Sequence, residues 1–110
     1  MIDKIRLKKI IKSLKNSKLK LPILQYLKNN YPGHANLRKL SLELKSDNGN
    51  IKGSLMGDGK RYKIDTSLAA LGLVTRVEVK ANNDTFIHYF ITQDGIDIVN
   101  MIEKSPEMIE

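Results

Sequence analysis

The chain predicts an α+β domain, helices first and a two-stranded antiparallel hairpin after them. Three observations carry that expectation. Apolar residues recur at helical spacing in several stretches before residue 56. Two of those stretches are separated by Ser46-Asp47-Asn48-Gly49, whose side chains favour chain reversal. Residues 73–92 alternate with a period of two on either side of Ala81-Asn82-Asn83-Asp84. At 110 residues one core of ordinary size is expected.

Taken in order, Asp3 to Lys15 carries Leu7, Ile10, Ile11 and Leu14 on one face and lysines on the flank, an amphipathic helix. It docks on the domain or on a partner subunit, or it adds phosphate contacts. A membrane-surface role fits less well, because Trp and Phe anchors are missing. Pro22 suits the first turn of the next helix, whose apolar face is Ile23, Leu24, Leu27 and Tyr31, and Asn29-Asn30 with Pro32-Gly33 stop it. Leu37, Leu40 and Leu44 then form a short helix. After the polar break, Ile51 and Leu55 lay a second helix on it, with Asn50, Lys52 and Ser54 expected to point away. Helix, glycine-containing turn and helix with a polar outer face make the plan of a helix-turn-helix, which fits the major groove of DNA. Asp65 or Thr66 is expected to cap a short helix over residues 67–71, closed by Gly72. Residues 73–80 and 85–92 are the two strands of the hairpin, and Thr92 caps a last helix carrying Ile96, Val99 and Ile102. The second strand is apolar on both faces, so its outer face needs a cover: the N-terminal helix or another subunit. The division expected is a basic helix over residues 1–17, the main domain over 18–104 and an acidic tail over 105–110.

Charge is concentrated rather than diffuse. The net charge is +7, with eight Lys or Arg against Asp3 in the first twenty residues. Residues 36–63 carry seven cations against three acids, and the last eighteen residues carry five acids against one lysine. Such a distribution points to a polyanionic partner. There are no cysteines, so disulfides and thiolate metal sites are excluded. No apolar run approaches the roughly 20 residues of a membrane span, and no secretory signal is visible, so a cytoplasmic location is expected.

The order of these elements, with "SLAALGLV" (Ser67 to Val74) and "YFITQDG" (Tyr89 to Gly95), resembles the winged helix-turn-helix superfamily of transcription regulators. The second motif is similar to that family's Tyr-x-Leu-Thr-x-x-Gly, and the run from Ile51 to Val74 is similar to small archaeal members. The resemblance covers about residues 20–102. It implies a three-helix core plus a two-stranded β-hairpin wing, with extra N-terminal and C-terminal helices, that binds double-stranded DNA as a homodimer. One departure stands out. About ten extra residues, Gly57 to Thr66, separate the second helix of the pair from "LGLV". The groove-entering element is then either the helix from Asn48 or one starting near Arg61.

The candidate DNA-binding residues are Arg38, Asn50, Lys52, Ser54, Lys60, Arg61, Tyr62, Lys63, Arg76 and Lys80. Lysines and arginines at helix ends and loops suit phosphates, while Asn50 and Arg61 suit base edges. Tyr62 is equally suited to packing. Arg76 and Lys80 are the cations of the implied wing. His34 and His88 lack a second ligand at metal spacing and are expected as a helix-start residue and a packed imidazole. No catalytic constellation and no cofactor motif is visible, and a small-molecule effector leaves no sequence trace. Two further readings remain: a non-specific, chromatin-like nucleic-acid binder, and a winged-helix module that binds protein.

Overall fold

Four helices start where a short polar side chain accepts a backbone N–H, which satisfies one of the orphan donors of a helix N-terminus. Asp3 accepts from Arg6 N at 2.7 Å, Asn36 from Lys39 N at 2.7 Å, Asp47 from Asn50 N at 2.7 Å and Thr92 from Gly95 N at 3.0 Å. A computed structural model describes residues 2–30 and 33–110. Tyr31 and Pro32, which the sequence places at the end of the second helix, fall outside the described residues. The elements are α1 (Lys4–Lys15), α2 (Lys20–Asn29), β1 (His34–Ala35), α3 (Leu37–Leu44), α4 (Asn48–Met56), β2 (Val74–Ala81), β3 (Asp84–Ile91) and α5 (Gln93–Lys104), followed by a 3₁₀ turn over Pro106–Ile109.

One apolar core joins all five helices to the inner face of the sheet. Ile10 and Leu14 of α1, Ile23, Leu24 and Leu27 of α2, Leu40 of α3, Ile51 and Leu55 of α4, and Ile98 and Val99 of α5 are buried. Each such side chain contributes about 1.5–3 kcal/mol on leaving water. Arg6 fastens α1 across the domain, donating to Asp94 at 2.7 Å and to the Leu71 carbonyl at 2.8 Å. The turn between α3 and α4 is closed locally. Lys45 takes the left-handed conformation (φ 54°), Ser46 N donates to Ser41 O at 3.2 Å, and Ser41 Oγ donates to Ser46 O.

The sheet is antiparallel in the order β1-β3-β2. The hairpin turns through Asn82 (φ 52°) and Asn83 (φ 71°) between Ala81 and Asp84, the two-residue connection that asparagines at positive φ favour. β1 is an addition to the expected hairpin: His34 pairs with Phe90 and Ala35 with Tyr89. His34 is therefore a strand residue, not a helix-start residue, and Asn36 takes the capping role. The His34 ring stacks on Phe90 with centroids 4.5 Å apart, and its Nδ1 lies 3.2 Å from Nδ1 of His88.

Two further expectations need correction. The short helix over residues 67–71 is one turn: Leu71 N donates to Ser67 O at 3.0 Å, then Gly72 at φ 77° lets Leu73 N close back on Leu68 O at 2.9 Å. Its free first N–H groups, Leu68 N and Ala69 N, serve Ser54 O and Leu55 O of α4 at 3.1 and 2.9 Å. Ser67 rather than Asp65 or Thr66 caps it, its Oγ accepting from Ala70 N at 3.2 Å. The second concerns the outer sheet face, where Val77, Val79 and Phe86 are exposed, Phe86 by 49%. α1 does not cover them; it packs beside the start of α5 and the 3₁₀ turn.

Candidate functional site

Residues 57–66 contain no helix; they fold as a loop laid on α4, so nothing helical starts near Arg61. Gly57 opens the loop at φ +76°, and a Cβ there would come within 2.6 Å of the Ile64 Cα, so only glycine fits. Asp58 then organises the tip. Its carboxylate accepts from Lys60 N at 2.8 Å and Tyr62 N at 2.9 Å, while Asp58 N and Gly59 N donate to Tyr62 O at 2.9 and 3.0 Å. The N–H groups of Tyr62 and then Lys60 hold the Asp58 carboxyl below its usual range. The Tyr62 ring lies on Gly53 of α4, where a Cβ would stand 2.7 Å from Cε2. Its hydroxyl donates to Asn50 Oδ1 at 2.6 Å. Arg61 is held 5.6 Å from that ring's centroid, within cation–π reach.

The facing wall comes from α1, the turn after it and the first residue of α2. Lys20 is only 8% exposed, and burial lowers its pKa from 10.5. Its Nζ donates to Ser13 Oγ at 2.8 Å and to the Thr66 carbonyl at 2.9 Å. Between the walls lies a cleft of about 820 Å³ lined by Lys9, Lys12, Lys18, Lys20, Arg61 and Lys63, with Ser and Asn side chains and no Asp or Glu. Ser54 belongs to its lining, and the buried Ser54 Oγ has no hydrogen-bond partner. Six cations with no acid in the lining create a field that draws an anion in.

Of the expected binding residues, the cleft brings together Asn50, Ser54, Arg61, Tyr62 and Lys63. Ser54 is corrected: it is fully buried rather than outward, because residues 51, 54 and 55 share one helix face. Asn50 is already engaged by Tyr62 and by Asp47 Oδ2 (2.9 Å), so the helix face expected to read bases is largely covered. Lys52 and Lys60 are exposed outside the cleft lining, and Arg38 is exposed on α3. Arg76 is paired with Glu78 at 2.8 Å, a bond that raises its pKa, and Lys80 is exposed near the hairpin tip. The lysines of the facing wall were missed as site residues, although the charge excess of the first twenty residues marks them. Among the described residues no cluster of three or more His, Cys, Asp or Glu side chains could hold a metal ion. Nor is any described helix long and apolar enough to cross a membrane.

Among the described residues, fold and site together define a small α+β protein with five helices, a three-stranded sheet and a cationic cleft between α1 and the 57–66 loop. The chain belongs to the EarA-like family, whose profile matches residues 10–102. It is also similar to an uncharacterised protein of Methanocaldococcus jannaschii, 44% identical over 69 residues, a match spanning 63% of this chain and 62% of that relative. No solved structure matches it.

Proposed function

We propose that the protein is a DNA-binding transcription regulator of the winged helix-turn-helix class. The observation that carries this reading is the pair α3–α4 with a cationic loop clamped over it, continuous with the lysines of α1. In this reading the exposed flank of α4 at Asn48 and Lys52 meets the groove, and Lys60, Arg61 and Lys63 hold phosphates on either side. The hairpin is the wing and offers Lys80 to the neighbouring backbone. A second copy covers Val77, Val79 and Phe86, giving a two-fold dimer suited to a pseudo-palindromic site. A cytoplasmic location follows from that role.

Selection from a random duplex pool, followed by gel shifts across a salt series, tests the proposal. Enrichment of one sequence family well above the pool's own affinity is the expected result, and binding that stays at the level of the starting pool overturns it. The engagement of Asn50 by Tyr62 favours a second reading, non-specific binding to phosphate alone. Its signature is a steep salt slope with no preference among sequences.

A further inference from the structure

We propose that the cleft between α1 and the 57–66 loop is a binding site for a small ligand carrying a terminal phosphate or diphosphate, distinct from the backbone of a duplex. The argument starts at Lys20. The residue is almost wholly buried, and the hydrogen-bond partners of its ammonium are the neutral Ser13 hydroxyl and the Thr66 carbonyl. A buried charge ordinarily meets an opposite charge. Here the lining offers five more cations and no carboxylate. The third N–H of Lys20 remains for an acceptor, and Ser54 Oγ is a further unpartnered polar group in the lining. A tetrahedral dianion satisfies that arrangement: its oxygens accept from ammonium and hydroxyl donors, and its charge offsets the clustered cations.

The size of the anion follows from access. A phosphodiester in a duplex carries a sugar on both sides and meets the recessed Lys20 side chain less readily than a phosphate with one substituent. A terminal phosphate has one substituent and can enter end-on. Lys9, Lys12 and Lys18 on one wall and Arg61 and Lys63 on the other then surround it. The Tyr62 ring forms part of the cleft lining and offers an apolar surface to whatever the phosphate is attached to. The ligand also bridges α1 and the loop, so it ties the loop more firmly in place. This inference does not rest on the DNA-binding reading.

The experiment is a calorimetric titration of the full chain with inorganic pyrophosphate at moderate salt, repeated on four variants whose folding is checked by circular dichroism. Saturable one-to-one binding is expected. Lys20→Met should weaken it by about tenfold or more and Ser54→Ala by roughly threefold, with Lys104→Gln, exposed at the end of α5 and outside the cleft, unchanged. Should Lys20→Met not fold, Ser54→Ala and Lys12→Gln carry the comparison. The proposal is overturned if pyrophosphate affinity is equal in wild type, Ser54→Ala and Lys12→Gln, or if Lys104→Gln weakens it as much as they do. A parallel titration with a short blunt duplex separates the sources. If Ser54→Ala weakens the duplex but not pyrophosphate, the cleft serves the nucleic-acid backbone and the small-ligand site is lost.

Discussion

The cleft side of the molecule and the distal hairpin are built on opposite plans. The cleft lining holds six cations and no acid, and its side chains are tied to uncharged partners: Tyr62 to Asn50, Lys20 to Ser13 and Thr66. On the hairpin the charge is cancelled in place, Arg76 by Glu78, and apolar side chains face outward instead. The first region keeps its field for something that arrives from solution. The second keeps apolar area for something that fits. Charge alone, counted along the chain, treats the two regions as one surface.

The contrast can be broken most severely at the clamp. Gly53→Val drives a branched side chain into the Tyr62 ring and should cost about 3 kcal/mol in urea denaturation, and a second change, Tyr62→Ala, should recover a good part of it. If the double variant recovers nothing, the ring is not what holds the loop on α4. Next in size is the effect on duplex binding. Arg61→Ala with Lys63→Ala should lower affinity by about tenfold and reduce the salt slope by about two. Arg76→Ala with Lys80→Ala should change affinity by less than about threefold, because Arg76 is already engaged by Glu78. Equal losses from both pairs would erase the distinction between the regions.

Phe86→Glu should leave stability within about 0.5 kcal/mol while halving the mass seen by light scattering, if a second copy covers the outer sheet. An unchanged mass from wild type to variant removes the dimer from the proposal. The smallest effect is on pH dependence. Lys20 has a folded pKa below its ordinary 10.5, so the unfolded chain binds the proton more tightly. Stability should therefore rise as pH climbs from the lowered value toward 10.5 and level off above it. Lys20→Met should flatten that rise, measured as denaturation midpoints at alkaline pH.

Much of the fold is legible in the sequence because it is encoded locally. Asp3, Asn36, Asp47 and Thr92 cap helices whose stripes follow at once, and Asn82-Asn83 sets the hairpin register. β1 is not legible, since two residues have no period and His34-Ala35 becomes a strand only beside Tyr89 and Phe90. Residues 67–71 read as a helix and form one turn, whose Leu68 and Ala69 N–H groups meet the last carbonyls of α4, a partner the local pattern does not reveal. The site is half legible. Arg61 and Lys63 stand out beside glycines, whereas Lys20 looks like one more surface lysine until Thr66, 46 residues away, is seen to accept from it. Ser54 was within reach: its spacing from Ile51 and its place beside Leu55 already put it on the buried side.

The closure between α3 and α4 has a further consequence. Lys45 in its left-handed conformation, the Ser41–Ser46 bonds and the Asp47 cap all lie within seven consecutive residues. The angle between the two helices is thus written into a short piece of chain and owes little to the sheet. Changes that reshape the hairpin or its partners in related chains can accumulate without altering how this pair is presented, so the two halves of the molecule are free to evolve at different rates.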